Sequence, residues 1–458
     1  MYNKNAWEKY DEKELEKLMS FNDDYIDFLS NFKTEREITN FSVEILENNG
    51  FKNLDSVKEL KAGDKVYAIN REKNVMAFVI GKEDVLNGIN ILGAHIDSPR
   101  LDLKQNPLYE SNEFAYLNTH YYGGIVKYQW VARPLAIHGV VIKKSGDKII
   151  VNIGEDENDP VFCITDLLPH LSADKNQKSA NTVIAGEDLD LTIGSIPSKN
   201  DEKEKVLANI KSILVEKYNI EEEDFVSAEL EIVPAGKAKS LGLDKSMVLG
   251  YGHDDRVCAY TSLKAILDLD ETPNRTSCCI LVDKEEVGSI GATGAHSKFF
   301  EYILGKLIMK AKGEFNDLML MELITNSYML SSDVSAGYDP LYASAFEKTN
   351  SSFLGHGLTF NKYTGSRGKS GCNDANPEFI AKIRKVLDDN NVYYQTAELG
   401  RVDQGGGGTI AYILANKNMN VIDAGIPVMS MHAPSEAVSK ADVYEAYLGY
   451  IAFLKYIA

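Results

Sequence analysis

Five separate segments of the chain share one design: an apolar, strand-like run stops abruptly at a histidine or a carboxylate, beside glycine or other small residues. They are NILGAHIDSPR, YGHDDRVCA, CCILVDKEEVGS, YMLSSDVSAG and IPVMSMHAPSE. In open α/β sheets, ligand sites form just beyond the carboxyl ends of strands, where such residues converge. The chain is therefore expected to be an α/β layer fold with a mostly parallel sheet.

Between these segments the periodicity changes repeatedly. Apolar residues at near-helical spacing run from Lys13 to Phe32 and from Glu35 to Asn49, which predicts a helical N-terminal region. Lys65 to Ile80 and Ile89 to Leu92 are short apolar or β-branched runs punctuated by Gly81, Gly88 and Gly93, and read as strands. From about Leu101 to Pro234 aromatic and β-branched residues alternate (LAIHGVVI, KIIVNI, AELEIV), broken by a charge-rich stretch from about Asp174 to Glu223. This reads as a separate β-rich module. After Gly250, helix and strand alternate again: an amphipathic helix over Cys258 to Leu269, a buried strand over Ser277 to Val282, and helix within Gly305 to Thr325.

The length, 458 residues, exceeds what one compact core needs, so two domains or one domain with a large insertion is expected. A formal net charge of -19, from 68 acidic and 49 basic residues, repels phosphate backbones and anionic membranes and argues against nucleic-acid and membrane partners. The start, MYNKNAWEKYDEKELEKL, lacks the apolar stretch of a signal peptide, and no run of about 18 apolar residues occurs. Five cysteines, Cys163, Cys258, Cys278, Cys279 and Cys372, lack paired metal-type spacing and fit reduced thiols, so a cytoplasmic setting is expected.

His95 and Asp97 are spaced so that in an extended segment their side chains share one face, and the carboxylate can orient the imidazole of a metal ligand. A core histidine satisfied by a local carboxylate fits the pair equally well. Asp254 and Asp255 stand where a helix begins near Arg256, where acidic residues often cap. Against capping, His253, Asp254, Asp255 and Arg256 are crowded together, a costly cluster unless a cation or ion pairs hold it. Glu285 and Glu286 close the apolar strand SCCILV; one can bind a metal while its neighbour takes the proton of a metal-activated water, as hydrolysis demands. Asp333 after YMLSS and His432 after PVMSM are weak signals singly. As a set, two histidines and three carboxylates suit zinc, manganese or cobalt, with no thiolate among them.

Other motifs fail. There is no HExxH, and Gly368-Lys369-Ser370 ends like a phosphate-binding loop, but Tyr363 occupies the required first glycine position. The run Gly405 to Gly408 suits either a flexible turn or close backbone approach to a ligand. No serine lies in a G-x-S-x-G context.

The strings GAHIDSPRLDLK, HDDR, DKEEVGS, SSD, KYTGSRGKSG, GGGGTI and MHAPSEAVSK, in this order and across almost the full chain, resemble the aspartyl aminopeptidase family, which includes vacuolar aminopeptidase I. The resemblance implies a di-zinc exopeptidase fold, an α/β sheet flanked by helices, with a β-rich dimerisation domain inserted after the first metal ligand. The implied boundaries are 1–97 and 239–458 for the catalytic domain and 98–238 for the insertion. It implies a metalloaminopeptidase that hydrolyses the N-terminal residue of peptides with a metal-activated bridging water. Two divalent ions, zinc with manganese or cobalt as alternatives, would be held by His95, Asp254, Glu286, Asp333 and His432. Asp254 would bridge them, Glu285 would be the general base, and Asp97 would support His95. Lys362 and Gly407 would lie near the substrate, and His170 corresponds to a histidine that some members lend to a neighbouring subunit. A tetrahedral homododecamer acting on peptides with a free N-terminus follows from the same resemblance. A dipeptidase, carboxypeptidase or deacylase on the same scaffold is the alternative, and a non-catalytic oligomeric scaffold is a more distant one. No residue decides between acidic and neutral N-terminal residues.

Overall fold

The computed structural model describes residues 4–457, so the first three residues and the last, which the implied boundaries include, lie outside it. The chain divides into two compact units, one of residues 1–97, 238–431 and 435–458, the other of residues 98–237 and 432–434.

The first unit opens with helices α1 (Glu12–Asn31) and α2 (Glu35–Asn48). Both start in a capping box: Asp11 with Glu14, and Thr34 with Glu37, exchange side-chain and backbone hydrogen bonds. Each box meets two otherwise orphaned N–H groups, and such a cap is typically worth about 1 kcal/mol. Leu18, Phe21, Tyr25, Phe28 and Leu29, three or four residues apart, form the buried stripe of α1.

Among the described residues, nine strands form the main sheet: β1 (Lys52–Asn53), β2 (Lys65–Asn70), β3 (Asn74–Val79), β4 (Ile89–His95), β5 (Thr276–Val282), β6 (Tyr328–Ser331), β7 (Leu358–Asn361), β8 (Tyr394–Thr396) and β9 (Asn420–Gly425). Their spatial order is β1-β2-β3-β5-β4-β6-β9-β7-β8. The middle, β5-β4-β6-β9, is parallel, whereas β2 with β3, β3 with β5 and β7 with β9 pair antiparallel. The sheet is thus mixed, with the parallel core that near-continuous apolar runs announce: every residue of β4 and β5 is buried. Successive side chains enter opposite cores, so adjacent Cys278 and Cys279 face different sides of the sheet. The free cysteines at 258, 278 and 279 are buried.

Helix α3 (His253–Leu267) corrects the expectation of an amphipathic helix. All of its residues except Lys264 are buried, because it is packed against β4, α1 and the last long helix, Lys440–Tyr456. Between α3 and α7 (Lys440–Tyr456) the unit adds α4 (Phe299–Lys312), α5 (Asp317–Thr325) and α6 (Pro377–Asp389). A small second sheet, absent from the sequence reading, joins Lys239–Leu241, Met247–Gly250, Glu436–Ser439, Pro427–Met429 and Ser335–Ala336 in that order.

The second unit contains a six-stranded antiparallel sheet ordered Lys148–Ile153, Leu135–Ile142, Ala228–Pro234, Arg100–Ser111, Phe114–Tyr122 and Leu191–Gly194. The charge-rich stretch that interrupts its strand pattern holds a helix, Lys205–Tyr218, which the sequence reading passed over because its apolar face is narrow: only Val206 and Leu207 are buried.

Candidate metal centre

Because β5, β4 and β6 run parallel side by side, their carboxyl ends reach one edge of the sheet. His95 closes β4 directly opposite Val282, the last residue of β5, and Gly93 lies opposite Ser331, the last of β6. The chain then supplies Glu285 and Glu286 on a 3-10 turn (Glu285–Val287) that starts three residues after the end of β5, and Asp333 two residues after the end of β6.

His95 is buried, and its Nδ1 lies 3.0 Å from the backbone carbonyl of Asp97 and 3.3 Å from Asp97 Oδ1. The Nδ1–H donates to Asp97, which leaves Nε2 as the lone-pair nitrogen a metal needs. That nitrogen lies 3.1 Å from Asp254 Oδ1 and 4.0 Å from Glu285 Oε2. Asp97 does a second job: its carboxylate accepts the backbone N–H of Glu285 at 3.1 Å and of Glu286 at 3.2 Å.

Asp254 and Asp255 have non-helical backbone angles at the start of α3, and their carboxylates turn to His95. Asp254 Oδ1 meets its ring, and Asp255 Oδ2 accepts its backbone N–H at 3.3 Å. The capping reading of this pair gives way to a histidine-centred one. Glu436, which the sequence reading quoted inside MHAPSEAVSK but gave no role, is buried and accepts the Asp254 N–H through Oε2 at 3.0 Å. It was missed because it lies 182 residues from Asp254, and the small sheet that pairs Gly250 with Glu436 and brings the two segments together is not legible in either segment. Gly425 closes β9 where a Cβ would come within 1.7 Å of the Asp333 carbonyl oxygen, so only glycine lets the Asp333 loop pack there.

Donor atoms of His95, Asp254 and Asp333 lie within 4.8 Å of one another, and so do those of His95, Glu285 and Glu286. Burial, with the charges of Glu285 and Asp255, holds the Asp333 carboxyl well above the usual carboxylate range. Burial and Asp254 do the same for Asp255. Burial alone would lower His95, but hydrogen bonds to Asp254 and Asp97 and the charges of Asp255 and Glu285 outweigh it and hold the imidazole well above its ordinary value. A buried group of carboxylates that destabilise one another around a nitrogen donor is what a divalent cation would relieve, and imidazole with carboxylate oxygen is a donor set zinc accepts. The residues present fit the metal.

His432 occupies the turn between Pro427–Met429 and Glu436–Ser439, at a left-handed φ of 64°. Residues 432–434 group with the second unit, where His432 Nδ1 donates to the Gly124 carbonyl at 3.1 Å. The first unit by itself brings together His95, Asp97, Asp254, Glu285, Glu286 and Asp333. Lys362 lies half-exposed after β7, with Nζ 3.6 Å from Asp374 Oδ1. The Gly407 N–H donates to the Thr364 carbonyl at 2.9 Å, so the lysine and glycine segments are neighbours. Tyr363 to Lys369, Glu398 to Asp403, Gly405 and Gly406 line a cavity of about 170 Å³. His170 is exposed on the turn Pro169–Leu171 of the second unit.

A layered α/β sheet that ends in a histidine and a carboxylate cluster of this geometry defines a metal-dependent hydrolase. The chain belongs to the M18 peptidase family, the aminopeptidase I zinc metalloproteases, whose family description matches residues 28–454. A probable M18 family aminopeptidase 1 of Clostridium acetobutylicum is 59% identical to it over 456 residues, 98% of each chain. The crystal structure of the M18 aminopeptidase of Thermotoga maritima superposes with a TM-score of 0.96 at 43% identity over 99% of both chains. The structure of the S. cerevisiae mApe1 dodecamer, at 22% identity over 96% of both chains and a TM-score of 0.76, shares the fold. The protein is a zinc aminopeptidase. Among the described residues no helix is long and apolar enough to cross a membrane.

Proposed function

We propose that the protein removes the N-terminal residue of peptides with two zinc ions per chain, Glu285 acting as general base. In this reading Asp254 would contribute to both ions, His95 and Asp333 would complete one site, and Glu286 and His432 the other. When bound, the ions lower the pKa of the attacking water, polarise the scissile carbonyl and receive the free α-amine. Manganese or cobalt would suit the same donors.

The observation that carries the base assignment is that Glu285 Oε2 lies 4.0 Å from His95 Nε2, the nitrogen that Asp97 leaves free. Its side chain is 16% exposed, while those of His95 and Asp97 are at 1% and 0%, so water and substrate can reach it. Glu285 takes the proton of the attacking water and hands it to the departing amine. Asp97 keeps His95 in the right tautomer and, through two backbone N–H groups, sets the turn on which Glu285 stands.

Lys362 and Gly407 are proposed to line the approach to the substrate, and His170 to be lent to a neighbouring subunit. Residues 98–237 are proposed to serve dimerisation within a tetrahedral dodecamer, which the family resemblance and the fold shared with the mApe1 dodecamer support.

The test is a Glu285→Gln variant assayed on unblocked peptides. It is expected to keep its zinc and lose activity by on the order of 10² or more, the usual worth of a general base. A wild-type rate in that variant removes Glu285 from the mechanism. Wild-type activity is expected to vanish on chelation and return with zinc; equal cleavage of N-acetylated peptides would favour a deacylase or carboxypeptidase instead.

A further inference from the structure

Glu285 and Glu286 stand on a stretch of backbone that has little reason of its own to hold its shape. Lys284 before them has a φ of 71°, and Gly288 and Ser289 after them have φ values of 91° and 60°. Lys284 and Ser289 are L residues in the left-handed region, a conformation that persists only where surrounding structure imposes it. The turn has no side-chain cap hydrogen bond at Lys284. Asp97 holds its two N–H groups from one side. The other attachment is made by residues that neither the metal nor the base assignment uses.

Asp283, the residue after β5, is buried, and its Oδ2 accepts the hydroxyl of Thr293 at 2.5 Å. Asp283 and Gly294 also pair as an isolated parallel bridge. The segment that leaves β5 as Asp283 and runs through Glu285 and Glu286 is thus closed on itself ten residues later. Inside the loop, Ser289 N–H donates to the Lys284 carbonyl at 2.7 Å, and His296 N–H to the Ser289 carbonyl at 3.1 Å. Gly294 is required at the crossing, since a Cβ there would lie 2.2 Å from the Ser289 carbonyl oxygen.

The closed loop is then tied to the sheet. Asn74, buried at the start of β3, donates through Nδ2 to the Thr293 carbonyl at 2.6 Å. Asn70, at the end of β2, donates to the Ala292 carbonyl at 2.8 Å and to Asn74 Oδ1 at 3.0 Å. Thr293 therefore has its hydroxyl on Asp283 and its carbonyl on Asn74, and connects the sheet to the start of the catalytic turn.

We infer that Thr293, with Asp283 and Asn74, is a positioning residue for Glu285 and Glu286: the hydroxyl locks the loop so that both carboxylates keep their approach to His95. The inference rests on the proposed roles of those two glutamates. It concerns placement alone, since Thr293 touches neither substrate nor metal in this reading.

The experiment compares Thr293→Val, which keeps the shape and removes the hydroxyl, with Thr293→Ser, which keeps the hydroxyl and removes a methyl. In Thr293→Val, kcat is expected to fall about 10-fold with KM within about twofold, the order expected when a general base is displaced but not removed. Zinc is expected to leave that variant at a several-fold lower chelator concentration, which reads the Glu286 half of the claim. Thr293→Ser is expected to return both quantities to within about twofold of the parent, the sign that a hydrogen bond and not packing was lost. A folded Thr293→Val with parental kcat and parental zinc retention overturns the inference, as does a loss that serine fails to restore. If Thr293→Val does not fold, Asn74→Ala serves in its place, with the same expected fall in kcat and the same overturning result. A silent Glu285→Gln would mean that the base assignment itself had failed; an impaired Glu285→Gln beside a silent Thr293→Val would mean that the clamp alone had.

Discussion

Two sets of buried carboxylates in the first unit meet the same physical difficulty in different ways. On α7, Glu445 is reached by Lys9 Nζ at 2.7 Å, by the Tyr10 hydroxyl and by the Tyr393 N–H at 2.7 Å, and Asp442 accepts the N–H groups of Gly355 and Gly357, each at 2.7 Å. At the carboxyl edge of β4, β5 and β6, Asp254, Asp255 and Asp333 are comparably buried, but they face Glu285, one another and a single imidazole. Burying a carboxylate costs several kcal/mol unless charge or hydrogen bonds answer it. Where the chain supplies the answer, the carboxylate holds elements together. Where carboxylates crowd one another around a nitrogen donor, burial and neighbouring charge hold Asp333 and Asp255 above the usual carboxylate range, and the same acidic chemistry suits a cation.

That contrast can be broken by experiment. Asp97 belongs to the metal centre only through His95 and the Glu285 turn, so Asp97→Asn should cost about 10- to 100-fold in kcat/KM or in zinc affinity, the usual range for a group that orients a ligand. Parental values for both would show that the backbone carbonyl of Asp97 suffices to hold the imidazole.

Glu445→Gln should do the reverse. It loses the charge that Lys9 meets and perturbs three hydrogen bonds, so stability should fall by about 1 to 3 kcal/mol in a denaturant titration while kcat/KM stays within about twofold. A large loss of activity with unchanged stability would erase the distinction between the two sets.

The last test is a pH dependence. Burial, with a contribution from Glu445 and against the N–H groups of Gly355 and Gly357, pushes the Asp442 carboxyl up to about 8. The folded chain then holds this proton more tightly than the unfolded chain, whose carboxyl titrates near its ordinary value of about 4. The group's contribution to stability is fully present below that value and is lost as pH rises through about 8, with a slope of at most about 1.4 kcal/mol per pH unit. Asp442→Asn should flatten the fall in stability between about pH 4 and 8, and an unaltered slope would show that Asp442 is ionised throughout that range.

Much of the framework was legible in the chain. The apolar runs ending at His95, before Glu285 and before Asp333 are strands that share one edge; they were legible as strands because side-chain period and a near-continuous apolar run are local properties of sequence. The helices α1 and α2 announce themselves through apolar spacing for the same reason. Helix α3 was legible as a helix but not as a buried one, since burial on every face depends on what α1, α7 and β4 bring to it. The roles of Asp254 and Asp255 were ambiguous, because two carboxylates at a helix start look alike whether they cap or face a histidine.

By itself, then, the sequence determined which residue types could carry the chemistry, where the strands that present them end, and, through its motif order, which family the chain resembles. The tertiary structure alone decided how those groups are held: that Asp97 serves both His95 and the Glu285 turn, that Glu436 reaches Asp254 across 182 residues, and that Thr293 and Asn74 tie the loop after Glu285 and Glu286 to the sheet. The physical reason is that donor type and strand period are written within a few residues. A hydrogen bond between distant segments depends on sheet order and register, which no single segment contains.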